Sequence, residues 1–197
     1  SAGVERAPLG VNRHGAGGRA ETAITGVALL AMMGAGNTHQ QGEYADNVYR
    51  GLAFLINTQS RATHNLGSLA GPSTSVYSAT YSHGIAALAM CEAAAITKDA
   101  SALVSAERAM AYTKQMQIPA TGGWRYTRHD RDGDLSQLGW QAMVLDAGHR
   151  AKIPVNPQAV NGIQRFLKSV RAGRGGLASY RPREVPTRTM TAEALAT

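Results

Sequence analysis

One cysteine, Cys91, stands in a chain of 197 residues. A single thiol excludes an internal disulfide and any cysteine-rich zinc site. Its setting, Ile85-Ala-Ala-Leu-Ala-Met-Cys91, reads as a small buried hydrophobe. Aromatic residues make up only 6% of the chain, which leaves little with which to stack bases or steady carbocations. The longest apolar runs, Val27–Met33 and Ile85–Cys91, fall far short of the roughly 18 residues of a membrane span. No charged start, apolar stretch and small-residue cleavage site open the sequence, so no signal peptide is visible. The compartment stays open between the cytoplasm and an exported form without its leader.

Acidic residues are also in short supply. The net charge is +7, and most of it falls in the second half of the chain. The densest stretch runs through Arg165, Lys168, Arg171, Arg174, Arg181 and Arg183 to Arg188, broken only by Glu184. Such a run can attract phosphate, nucleic acid or an acidic partner. With only Phe166 and Tyr180 interleaved, nucleic acid is a poor fit, and a solvated Arg-rich face is the plainer reading.

What the chain does have is internal repetition. Ile24–Met32, Ser82–Met90, Gln137–Leu145 and Thr189–Thr197 align on Gly26, Gly84, Gly139 and Thr191, which are 58, 55 and 52 residues apart. Each segment is rich in Ala, Leu and Met around most of its circumference, the pattern of a buried helix. Three amphipathic segments alternate with them. The first carries Tyr44, Val48, Leu52, Leu55 and Ile56 on one stripe, and the third Val160, Ile163, Phe166, Leu167 and Val170. The middle one, Leu103 to Gln117, is weaker. Gln59 and Gln117 close the first two, again 58 residues apart.

Gly71-Pro72-Ser73, Thr121–Trp124 and Gly173–Gly176 supply the turns, while Asp99–Ser101 and Asn156-Pro157 signal helix starts. No alternating strand run is evident. The expectation is all-α: buried inner helices paired with amphipathic outer ones, from residue 22 to 197, behind a flexible lead-in of residues 1–21. The fourth buried-type helix has no outer partner, so the chain reads as a fragment whose exposed repeat ends favour self-association.

Gly122-Gly-Trp-Arg-Tyr126, Gly133-Asp-Leu-Ser136 and Gly139-Trp-Gln141 together resemble the prenyltransferase and squalene-oxidase repeat. Tyr81–Leu88 and Thr189–Glu193 are similar to the inner helices of bacterial proteins carrying it. The resemblance implies an α/α toroid, here a partial ring, in which inner helices line a cavity. The architecture hosts several chemistries, so fold leaves function open.

The family's catalytic motifs are not matched. Squalene-type cyclases use Asp-x-Asp-Asp-Thr-Ala, in which crowded carboxyls keep a strong acid protonated. The nearest stretch is Asp130-Arg-Asp-Gly-Asp-Leu-Ser136, where Gly133 breaks the adjacent pair and leaves Asp132 and Asp134 as the acid candidates. Protein prenyltransferases hold zinc with Asp, Cys and His. Cys91 has no neighbouring Asp, and the six histidines lack a metal-binding spacing. The aspartates 130, 132 and 134 alternate like a calcium loop, but Leu135 and Gln141 occupy the sixth and twelfth positions, so a surface turn capped by Asp134 or Ser136 is the better reading. Gly15–Ala20 mimics a dinucleotide fingerprint without the strand that should precede it. No cofactor is indicated.

Ligand-binding candidates remain at the starts of the inner helices: Tyr81 and His83 on the second, Gln137, Trp140 and Gln141 on the third, and Arg125 and Tyr126 on the loop between. Each has a structural alternative, with His83 capping its helix and Trp124 and Trp140 packing between hairpins. The expected function is a binding or scaffolding module that takes a small apolar ligand or a protein segment on its concave face. A divergent cyclase-like enzyme on an apolar isoprenoid, and an anion or nucleic-acid binder, are the alternatives.

Overall fold

A computed structural model of the chain describes residues 20–173 and 175–197. The expected lead-in, including Gly15–Arg19, and Arg174 of the basic stretch lie outside the described residues. The protein is an all-α helical repeat, with seven helices among the described residues: α1 (Glu21–Gly34), α2 (Ala45–Ser60), α3 (Val76–Thr97), α4 (Ala100–Met116), α5 (Leu135–Arg150), α6 (Pro157–Val170) and α7 (Arg188–Ala196). Three short strands, β1 (Arg171–Ala172), β2 (Leu177–Ser179) and β3 (Pro186–Thr187), precede α7.

The odd-numbered helices form one layer, with α3 between α1 and α5, and α5 between α3 and α7. The even-numbered helices cover it: α2 packs on α1 and α4, α4 on α3 and α5, and α6 on α5. The aligned glycines explain the inner layer. A Cβ on Gly26 would lie 3.0 Å from the Ala86 Cα, one on Gly84 2.7 Å from the Gln141 amide, and one on Gly139 3.0 Å from a Glu193 carboxyl oxygen. Each repeat thus omits a side chain where the next inner helix crosses it.

The two terminal glutamines explain the outer layer. Gln59 Nε2 donates to the Gly67 carbonyl at 3.0 Å and to the Ser105 carbonyl at 3.1 Å. Gln117 Nε2 repeats this with the Gly122 carbonyl at 2.8 Å and the Ala159 carbonyl at 3.0 Å. Each amide ties the end of one outer helix to the following loop and to the next outer helix. Being buried or half-buried, these bonds replace water that the carbonyls would otherwise need.

Helix starts follow local chemistry. Asp99 caps α4 through the Ala102 N–H, Asn156 caps α6 through the Gln158 N–H ahead of Pro157, and Thr187 caps α7 through the Met190 N–H. Lys98, left-handed at φ 57°, ends α3 and reverses the chain directly into α4.

Three expectations need correction. Only α3 is enclosed nearly all round, from Thr80 to Ala94. In α1, which among the described residues has an inner neighbour on one side, Ile24 and Val27 are exposed, and α7 buries no residue fully. Tyr81 and His83 do not open their helix, because α3 starts at Val76 and places them in its second turn. Residues 171–187 hold an antiparallel sheet of order β1-β2-β3, with Arg171 opposite Ala178 and Ala178 opposite Thr187. Its two- and three-residue strands are too short to carry an alternation.

Cys91 is fully buried in α3, and burial pushes its thiol up to about 12. A thiol reagent such as DTNB should therefore leave the native protein untouched and react once urea unfolds it. Immediate native labelling would show that α3 is not enclosed.

Candidate functional site

The loop that feeds α5 is anchored by Trp124, which is wholly buried and donates from Nε1 to the Thr113 carbonyl at 2.7 Å. The Trp124 carbonyl in turn accepts the Asp134 N–H at 2.9 Å. This anchoring draws Asp134 inward, so the expected surface turn is corrected: Asp134 does cap α5, accepting the Gln137 N–H at 2.9 Å, but its exposure is 0%. Ser136 donates its hydroxyl to the same Oδ1 at 2.9 Å. The second oxygen, Oδ2, has no hydrogen-bond partner among the described residues. Neither do Oε1 and Nε2 of Gln137, one turn along and equally buried.

Half-buried polar side chains from three further elements surround this pair. Tyr81 of α3 meets the Ser136 hydroxyl at 2.7 Å. Tyr180, just after β2, sits beside Ser136 and Asp134, held there by its carbonyl accepting the Leu135 N–H at 2.9 Å. Glu193 of α7 reaches across Gly139. Burial raises the Asp134 carboxyl above its ordinary range, against the opposing pull of the Gln137 N–H, Ser136, Tyr180 and the Arg125 charge. Burial also raises Glu193, and the Asp134 charge adds to the effect. The Tyr81 and Tyr180 phenols are pushed up mainly by burial, with the Asp134 charge adding to it. The arrangement is a half-enclosed set of weak acids around one buried carboxyl with a free oxygen.

The expected ligand residues divide into two groups. Tyr81, Arg125, Tyr126 and Gln137 lie in or near this cluster, with Arg125 stacked 4.9 Å over the Tyr126 ring and Tyr77 edge-on to that ring at 5.1 Å. His83, Gln141 and Trp140 serve the interior. His83 Nδ1 accepts the Leu69 N–H at 3.1 Å, so the ring proton is on Nε2, 2.9 Å from Thr113 Oγ1. Thr113 continues to Gln141 Oε1 at 3.3 Å, and Gln141 Nε2 donates to the Thr80 carbonyl at 3.1 Å. This relay joins α3, α4, α5 and a loop, and it engages both ring nitrogens of His83 and both amide heteroatoms of Gln141 inside the core. Trp140 sets its Cβ against Gly84.

The three alternating aspartates do not converge. Asp130 closes its own turn on the Thr127 N–H, and Asp132 lies near the surface, 4.0 Å from Arg131 and 3.8 Å from Arg183. Asp132 thereby stands apart from Asp134, whose charge is felt instead by Glu193. No group of three or more His, Cys, Asp or Glu side chains able to hold a metal occurs among the described residues. No described helix is long and apolar enough to cross a membrane. The basic stretch divides: Arg181 pairs with Glu184, Arg183 approaches Asp132, and Arg165 turns to the outer layer, donating to the Pro119 carbonyl.

Three depressions of about 750, 500 and 430 Å³ mark the surface, and none of the three is lined by Asp134. Tyr180 and Glu193 were not legible as site residues. Only the repeat alignment, which sets Glu193 level with Gln141, hinted at Glu193.

Comparison with protein-family models, curated proteins and solved structures gives no match.

Proposed function

We propose that this chain is a binding or scaffolding module of the prenyltransferase and squalene-oxidase repeat type, its hairpins forming part of an α/α toroid. Its contact point is the polar cluster around Asp134 and Gln137. One observation carries this reading: three buried polar atoms, Asp134 Oδ2 and both amide atoms of Gln137, lack partners among the described residues. A buried polar atom without a partner costs on the order of 1–3 kcal/mol, and native proteins keep few of them. A mostly apolar ligand or protein segment whose head both donates and accepts, such as a hydroxyl or amide, would satisfy all three, and an ammonium head would serve the two oxygens.

Asp134→Asn tests the site. The native carboxyl pKa is raised, so its stabilising contribution is present below the unfolded pKa and lost as pH rises through the folded value. Asparagine keeps the Oδ1 acceptor that caps α5 and removes the charge. The variant should therefore melt higher than the parent at pH 7, with the gain shrinking toward pH 4. Farnesylamine, an apolar tail with an ammonium head, should raise the melting temperature of the parent and not of Asp134→Asn. An unchanged melting temperature at pH 7, or equal ligand shifts in both proteins, would remove the site.

A second reading has its own support. A carboxyl of raised pKa beside Tyr81 and Tyr180, with Glu193 as neighbour, is what a divergent cyclase-like enzyme would need of a proton donor. Turnover of an isoprenoid by the parent and not by Asp134→Asn would favour catalysis over binding.

A further inference from the structure

The depression of about 750 Å³ runs between the outer helices α4 and α6, and neither Asp134 nor Gln137 lines it. Its walls are stripes at helical spacing: Ala111, Lys114, Gln115 and Ile118 on α4 and the turn after it, and Gln158, Asn161 and Arg165 on α6. Seven residues of helix rise about 10 Å, the reach of roughly three residues of extended chain. Arg128, from the loop feeding α5, closes one side. No Asp or Glu lines the groove. Glu107 lines the adjoining depression, and Asp130 is engaged by the Thr127 N–H.

We propose that this groove binds a short acidic peptide segment of a partner protein in extended conformation. Lys114, Arg128 and Arg165 supply three cations from three elements, which match carboxylates along a strand. Gln115, Gln158 and Asn161 supply both donors and acceptors for the peptide backbone. Ile118 and Ala111 give an apolar floor. The groove contains no aromatic ring on which a base could stack, which disfavours nucleic acid.

Two observations make the groove a prepared feature. Its width is set by Gln117, whose amide spans the Gly122 and Ala159 carbonyls, and Arg165 is steered across it by donating to the Pro119 carbonyl at 3.2 Å. The preceding seam does not carry these cations at the matching positions. Superposing Gln117 on Gln59, Ala159 on Ser105 and Gly122 on Gly67 sets Lys114, Arg165 and Arg128 level with Ile56, Ala111 and Ser73 in the preceding seam. The repeat architecture does not require the cations.

The test is fluorescence anisotropy with a labelled eight-residue Glu/Ala peptide, alongside labelled single-stranded RNA and inorganic pyrophosphate as competitor. The double variant Lys114→Glu/Arg165→Glu should weaken peptide binding by at least about tenfold, and the milder Lys114→Gln/Arg165→Gln by less. Arg188→Glu, an exposed charge on α7, should change it by less than about twofold. An unchanged thermal melt confirms that each variant folds. Equal losses from Arg188→Glu would reduce the effect to overall charge and overturn the proposal. Tighter binding of RNA, displacement by stoichiometric pyrophosphate, or no peptide binding at low salt would overturn it as well.

Discussion

Gly122→Ala is expected to destabilise the protein by about 3 kcal/mol or more, whereas Gly176→Ala should cost only about 1 kcal/mol. The two residues share a left-handed backbone, φ 81° and 70°, so the strain of an L side chain is common to both. They differ in what stands opposite. A Cβ on Gly122 would enter the backbone of Gly162 on α6, which cannot rotate aside as a side chain can. A Cβ on Gly176 would meet nothing within 4 Å. Gly67, facing the Arg108 carbonyl on α4, should behave like Gly122. Urea unfolding of the three variants gives the comparison, and equal costs at Gly122 and Gly176 would mean that the loop does not seat against α6.

Acid should unfold this protein through His83. Burial lowers the imidazole to about 3 from an ordinary 6.5, so the folded state holds it neutral. A depressed histidine contributes stability that is fully present above its unfolded pKa and lost as pH falls toward the folded one. At about 1.4 kcal/mol per unit, the window from pH 6.5 down to 3 spans at most about 5 kcal/mol. The physical event is specific: a proton on Nδ1 removes the acceptor for the Leu69 N–H and places an unpaired charge beside Thr113 and Tyr112. Carboxylates such as Asp99, held low chiefly by the Ala102 N–H, lose stability in acid too. The informative quantity is therefore the difference between the parent and His83→Asn. That variant should be less stable at pH 7, with the gap closing as pH falls through 6. Parallel curves would mean that His83 is not buried neutral.

The repeat was legible because its signals are local. Gly26, Gly84 and Gly139 announced themselves by spacing, and so did Gln59 and Gln117, although their shared duty as clamps needed the partner carbonyls of Gly67, Ser105, Gly122 and Ala159. Polar residues on inner helices were harder to read. His83 and Gln141 looked like cavity groups, yet each meets a partner brought from far along the chain, Leu69 or Thr113 for one and Thr80 for the other. Asp134 sits in a stretch whose alternation speaks of a turn. Its burial comes from Trp124 and from the sheet that carries Tyr180, and neither relation leaves a period in the sequence. The exposure of Ile24 and Val27 was hidden for a related reason: composition reports that a helix could be covered, and position in the layer decides whether it is.

The inner seams are one joint cut to three keys. Gly26 receives backbone, Gly84 receives the Gln141 amide, and Gly139 receives the Glu193 carboxyl. Hairpins of this chain are therefore not interchangeable parts. A copy of α5 set against Gly26 would bring the longer Gln141 side chain to a socket shaped for Ala86, and a copy of α7 set against Gly84 would bring the Glu193 carboxyl, equal in length to Gln141 but without the amide donor that reaches the Thr80 carbonyl. Recombination between the repeats at the level of coding sequence would change the size or the charge brought to these sockets, so unit order is itself under structural constraint.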